Sequence, residues 1–148
     1  VPGIAGFGQA VAEVQAESKA DLQAKYTDFQ KIILSRLDES GVAYEVNSPL
    51  TGLVSHHVLN LRLNGLSTYV LLANLDLAGF AVSGGSACTA GSLTPSHVLT
   101  AMFGQDSPKV SESIRISFGR YNTVEEVKAF AAALVKVARK LQDRKRED

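Results

Sequence analysis

Ile4, Phe7, Val11 and Val14 recur at helical spacing and predict a first helix over about 2–17. Ser18, with Asp21 three residues on, marks a restart. Leu22, Tyr26, Phe29, Ile33 and Leu37 then trace a second amphipathic helix, closed by Gly41. Beyond it the period changes to two. "VAYEV" (42–46) and "HVLNLRL" (57–63) alternate as strands do, with the loop "NSPLTG" between them and the turn Asn64-Gly65 after the second. Ser67 is placed to cap a helix from Thr68 to about Gly79, and "FAVSG" (80–84) reads as a brief strand. Thr94 followed by Pro95 opens a short helix to about Gly104. In "SESIRISFG" (111–119), Ile114, Ile116 and Phe118 share one face of a strand, with Arg115 and Ser117 on the other. Thr123 and Glu126 form a capping box for a last helix, striped by Val124, Val127, Phe130, Leu134, Val137 and Leu141.

Few short strands with helices between them define an α+β class: a small, mostly antiparallel sheet covered by helices. At 148 residues the chain is expected to be a single domain, 1–148. Fifteen basic and fifteen acidic residues cancel, so no uncompensated basic field exists for nucleic acid or an anionic membrane. No apolar run approaches the roughly 18 residues of a membrane span. A single cysteine permits no intrachain disulfide, and a cytoplasmic protein is the expectation.

That cysteine, Cys88, changes the picture. A core cysteine sits among apolar residues at period 2 or 3.6, whereas Cys88 lies in "AVSGGSACTAGSLTPSHV" (81–98), with nothing large and apolar between Val82 and Leu93. Such a segment has little to bury, so a mobile loop over 83–94 with an accessible, reactive thiol is expected. No fixed activator stands beside it in the sequence. Arg115 has two readings: a solvated residue on a strand's polar face, or a fork for a substrate carboxylate, which guanidinium grips through both oxygens. Arg120 has the same two readings, with solvation favoured. His97 falls in the first turn after Pro95, more simply a surface residue than a base. His56 and His57 have no Cys, Asp or Glu at ligand spacing, so no metal site is expected. "GIAGFG" lies inside a helical pattern with no strand before it and carries no phosphate-loop meaning.

Taken together, "SGGSACTAGSLTPSHVL" and "SIRISFGRYNTVEEV" resemble the C-terminal domain of a NifS/IscS-type cysteine desulfurase, within the class V aminotransferase family. "HVLNLRL" and "VPGIAGFGQA" resemble the family's strand and helix at the matching places, so the resemblance covers essentially the whole chain. It implies the small C-terminal domain of a fold-type I pyridoxal-phosphate enzyme that takes sulfur from L-cysteine and releases alanine. Cys88 would carry the sulfur as a persulfide and pass it to an acceptor, an iron–sulfur scaffold or a tRNA-thiolation protein. Arg115 would pair with the substrate carboxylate. The full-length form is expected to be a homodimer. The family's Schiff-base lysine setting is absent here, so no cofactor-binding residue is expected in this chain, which alone is expected to be inactive. Residues 1–18 would then be the helix that packs on the missing N-terminal cofactor domain, and 19–148 the small domain. That first helix is expected to self-associate or fray when uncovered. Two other readings stay open: a fragment of another class V aminotransferase, and a stand-alone sulfur-carrier or interaction module.

Overall fold

The computed structural model describes residues 1–52, 54–85 and 95–147. In chain order the elements are α1 (Pro2–Ala16), α2 (Lys19–Ser40), β1 (Tyr44–Val46), β2 (Val58–Leu63), α3 (Thr68–Leu77), α4 (His97–Phe103), α5 (Pro108–Ser111), β3 (Ser113–Ser117) and α6 (Val124–Glu147). The three strands form one sheet in the order β1-β2-β3, antiparallel throughout. The α+β class read from the sequence is the class observed.

Local chemistry fixes the two long helices. Ser18 Oγ accepts from the Asp21 N–H at 3.2 Å and starts α2, and Gly41, at φ +71°, ends it in the left-handed conformation that favours glycine. At α6 the capping box is complete: Thr123 Oγ1 accepts from the Glu126 N–H at 3.2 Å, and the Glu126 carboxylate accepts from the Thr123 N–H at 2.9 Å. That backbone N–H, helped by the Asn122 amide, holds the Glu126 carboxyl below the usual carboxylate range.

Both helices lie on one face of the sheet. Phe29, Ile33 and Leu37 of α2, and Val127, Phe130 and Leu134 of α6, meet Leu59, Leu61, Leu63, Ile114 and Ile116 in one core cluster. Leu71 and Leu75 of α3 join it. The period of two makes this work: burial alternates along β2, so Val58, Asn60 and Arg62 face away from the core. The sequence therefore sorts its apolar and polar strand residues onto opposite faces, and that second face carries the candidate site.

Three local expectations shift. "FAVSG" forms no strand; only Ser83 pairs, in an isolated bridge with Arg115. Upstream of it Gly79 turns at φ +87° and Phe80 packs edge-on against Phe130, 5.6 Å between ring centres, drawing the chain away from the β3 edge. Ser96, not Thr94, caps α4, accepting from the Leu99 N–H at 3.3 Å; Thr94 lies outside the described residues. Ser67 occupies the cap position of α3 without a side-chain cap bond. Instead the next hydroxyl, Thr68 Oγ1, donates to the Ser111 and Ser113 carbonyls at 2.8 and 2.9 Å, anchoring α3 to β3. Separately, α5 is a single turn opened by Ser107 and Pro108, too short to show any periodicity.

The apolar face of α1 has no cover: Ile4 is 79% and Phe7 72% exposed. The helix is tied to the rest through Arg120, whose guanidinium reaches Glu17 at 2.9 Å and Glu13 at 3.8 Å. These are half-exposed pairs of the kind worth at most about 1 kcal/mol.

On the sheet's polar face Arg62 pairs with Glu45 and, at 2.8 Å, with Glu112; Lys109 reaches Glu45 at 3.1 Å. Lys109 also lies over the Phe103 ring, 4.5 Å from its centre, so the network links α4, α5 and the sheet. The Lys109 ammonium holds the Glu45 carboxyl below its usual range; burial opposes it and Arg62 adds to the lowering. A carboxyl depressed on folding stabilises the fold above its unfolded value, about 4.3 for Glu, and the gain disappears as pH falls through the folded value. Glu45→Gln is therefore expected to lower Tm at neutral pH, with the difference from wild type closing in acid. A Tm difference that stays constant through the acid range would show that Glu45 acts by packing alone.

Candidate functional site

Among the described residues, three arginines test the sequence's functional reading by how they are paired. Arg62 is held by two carboxylates. Arg120, the second candidate from the sequence, is held by Glu13 and Glu17, and its carbonyl accepts from Lys25 Nζ at 2.7 Å. These two are structural. Arg115 differs: its Nε is buried without a hydrogen-bond partner, and it joins no ion pair among the described residues. A buried guanidinium nitrogen without an acceptor is costly.

The strand register places Arg115. It pairs across β2–β3 with Asn60 and, on its other edge, with Ser83, whose N–H donates to the Arg115 carbonyl at 3.1 Å. One step beyond Asn60, Asn47 donates its backbone N–H to the Asn60 carbonyl at 2.9 Å. Asn47, Asn60, Arg115 and Ser83 thus form a row across the sheet. Above this row lies a cleft of about 220 Å³, lined by Asn60, Arg115, Gly84, Gly85, Ser96, His97, Val98 and Leu99. His97 lies exposed at its rim, the surface position expected from the sequence.

Cys88 lies outside the described residues, as does the rest of the expected loop beyond Gly85, up to Thr94. The residues on either side of it are described, and both ends meet at the same place: Gly84 and Gly85 arrive at the cleft, and Ser96 and His97 leave from it. The sequence had singled out Cys88 and Arg115 separately; it contained nothing that set the flanks of one against the other.

Gly84 fixes the approach to that segment. A Cβ there would fall on Thr68 Cγ2 and stand 3.2 Å from Leu72 Cδ1. Thr68 cannot yield, because its hydroxyl is tied to two carbonyls. Gly84→Ala is expected to destabilise the protein by about 1–3 kcal/mol, the usual range for overpacking, and to disturb the Ser83–Arg115 bridge. Denaturant unfolding checks this; unchanged stability would mean that the backbone has room to move off α3.

A second cleft, of about 290 Å³, runs between the Phe80–Val82 segment and β3, walled by Ile116, Phe118, Val127 and Phe130. Its only ionisable group, Glu126, is engaged in the capping box, so it offers no free charge. His56 and His57 are held by Gln30 and Ser55 respectively. Among the described residues no group of three or more His, Cys, Asp or Glu is placed to hold a metal ion.

The arrangement can bind a small anion, through an unpaired guanidinium and neighbouring polar groups. It does not fit pyridoxal phosphate: the described lining has no lysine amine for a Schiff base and no Phe or Tyr ring to stack on a pyridine.

In architecture this is the α+β fold of the NifS-like proteins. A NifS-like protein of known structure superposes with a TM-score of 0.63 at 24% identity, over 80% of this chain and 28% of that one. The NifS-like protein from Rickettsia africae ESF-5 does so with a TM-score of 0.59 at 23% identity, over 78% of this chain and 28% of the other. The chain belongs to the class V aminotransferase family, whose model matches residues 1–130. It is 49% identical over 141 residues to a putative cysteine desulfurase, IscS 1, of Bacillus subtilis (strain 168), covering 95% of this chain and 37% of that protein. It is 39% identical over 143 residues to the cysteine desulfurase IscS of Pseudomonas entomophila (strain L48), covering 95% of this chain and 33% of that one. The chain thus spans about a third of the length of the curated relatives it matches.

Proposed function

We propose that this chain is the C-terminal, sulfur-accepting part of a cysteine desulfurase. Arg115 holds the carboxylate of L-cysteine, and Cys88 takes its sulfur. The observation that carries the reading is the cleft: its walls arrive from both sides of Cys88, and its one unpaired charge is Arg115. Cys88 follows Gly85 by three residues in the sequence, and Gly85 is part of the cleft lining.

The overall change balances without an external oxidant or reductant. The carbon–sulfur bond of L-cysteine breaks and a sulfur–sulfur bond to Cys88 forms. The transferred sulfur is oxidised and the carbon is reduced. A proton completes the methyl group of alanine, and the persulfide keeps one hydrogen. Pyridoxal phosphate belongs, in this reading, to the upstream domain of the full-length protein, where it supplies the electron sink. The residues of this chain bind, orient and accept. Iron–sulfur scaffolds and tRNA-thiolation proteins are the acceptor classes the reading allows, and a homodimer in the cytoplasm is its setting.

The exposed apolar face of α1, with Ile4 and Phe7, fits this reading as the surface a cofactor domain would cover. Against a stand-alone carrier stands the free carboxylate grip at Arg115, which a protein handling only persulfide sulfur does not need. Against another class V aminotransferase stands Cys88, which transamination does not use. The test is the full-length protein with L-cysteine: without a reductant, alanine should form with one added sulfur on the peptide holding Cys88 by mass spectrometry, and an added thiol reductant should release that sulfur as sulfide. Alanine formation with no sulfur on Cys88 would overturn the reading.

A further inference from the structure

We propose that Asn60 is the second half of the carboxylate grip, its side-chain Nδ2 donating to one carboxylate oxygen while Arg115 holds the other. The proposal rests on the desulfurase reading only for the identity of the ligand as L-cysteine; the grip itself is read from β2 and β3. Asn60 and Arg115 are direct partners in the antiparallel register. Directly opposed residues on one face carry Cβ atoms about 4.5–5.5 Å apart, which suits two donors closing on one planar anion.

What distinguishes Asn60 from an ordinary polar strand residue is how its amide is oriented. Its Oδ1 accepts from Asn47 Nδ2 at 2.8 Å, and the same Nδ2 donates to Ser113 Oγ at 3.0 Å. Its backbone is fixed as well, with the N–H donating to Ser48 Oγ at 2.8 Å and the carbonyl accepting from the Asn47 N–H. With Oδ1 committed to the β1 side, the amide's two N–H groups turn away from Asn47. No described residue accepts from them, and Asn60 lines the cleft beside Arg115. Asn47 does not itself line the cleft; through its bonds to Asn60 it acts as a positioning residue, setting which end of the Asn60 amide is presented.

The charge pattern agrees. A carboxylate offers about four lone-pair sites, and a guanidinium alone fills two of them well. A neutral donor beside Arg115 adds a further bond without adding a second charge, so selectivity for a single anionic group is kept. An aspartate at this position would reverse the effect: it would keep an oxygen for Asn47 but place a negative charge on Arg115, neutralising the grip from within.

The experiment compares Asn60→Ala and Asn60→Asp with wild type in the full-length protein, with two readouts. In the first, the half-saturating L-cysteine concentration should rise roughly 10- to 100-fold for Asn60→Ala, the loss expected for one hydrogen bond to a charged group, and further for Asn60→Asp, with melting temperatures retained. Asn60→Asp keeps the Asn47 contact, so a weakened fold cannot explain its loss. In the second, propionate and propionamide are titrated against the free protein by thermal shift. Propionate binding should weaken in both variants, with propionamide unaffected. If wild type binds propionate and the variants match it, the Asn60 assignment is overturned, even where desulfurase activity is present. If wild type makes no alanine from L-cysteine but loses propionate binding on Asn60 substitution, the grip stands and the desulfurase reading falls.

Discussion

Cys88→Ala in the full-length protein is expected to abolish sulfur release from L-cysteine, lowering the rate of alanine formation by at least about 10³-fold, as removal of an attacking nucleophile does. The affinity for L-cysteine should change little, because the proposed carboxylate grip lies at Arg115 on β3, not at Cys88. The chain has no second thiol to substitute, since Cys88 is its only cysteine. Cys88→Ser is a sharper version: it keeps a hydroxyl of similar size, but oxygen at neutral pH is almost entirely protonated and forms no persulfide. A desulfurase that kept its rate in either variant would move the sulfur-accepting step to another group. A variant that lost rate and substrate affinity together would show that Cys88 also helps form the cleft. The measurement that separates these outcomes is steady-state alanine formation, taken together with L-cysteine binding in the absence of turnover.

The parts of this fold legible in the sequence are those whose cause is local. The Thr123–Glu126 box is a spacing of three residues, and both of its bonds form as read. Gly41 closes α2 because a left-handed φ there suits no other residue as well. The stripes of α2 and α6 and the alternation in β2 and β3 report which faces are buried, and those faces are buried apart from Val124 at the start of α6. "FAVSG" failed as a strand for a reason several elements away: Gly84 is packed against Thr68, and Phe80 is drawn to Phe130 on α6. The same limit applies at the site. Arg115 was visible as a charge on a polar face, but so were Arg62 and Arg120. Only pairing with Glu45, Glu112, Glu13 and Glu17, set by register and by the α1–α2 bend, removes those two and leaves Arg115 without an ion pair among the described residues. Asn60 was passed over because its meaning lies across two strand pairings, toward Asn47 on one side and Arg115 on the other. The one available signal was an asparagine inside "HVLNLRL", a strand whose other polar residue, Arg62, has carboxylates to bind.

Arg115→Met separates function from stability in opposite directions. A guanidinium with a buried, unpartnered nitrogen weakens the free protein, and under the proposed function its partner is the substrate carboxylate. Replacing it with an unbranched apolar side chain removes the unsatisfied group while keeping most of the stem's packing against its neighbours. The ligand-free variant is therefore expected to melt no lower than wild type, and higher if the nitrogen's desolvation dominates. Binding should fall steeply. Losing a charge-assisted grip on a carboxylate costs about 2–4 kcal/mol, or roughly 30- to 1000-fold in the L-cysteine concentration for half-maximal rate. Arg115→Lys should recover only part of this, because an ammonium carries the charge without the planar fork. Thermal melts without ligand, and kinetics with L-cysteine, read the two effects separately. Had Arg115 been an ordinary solvated strand residue, both quantities would stay near wild type. Had it been structural like Arg62, stability would fall first. The combination of a steady or raised Tm with a large loss of cysteine affinity belongs to a residue whose partner is the substrate.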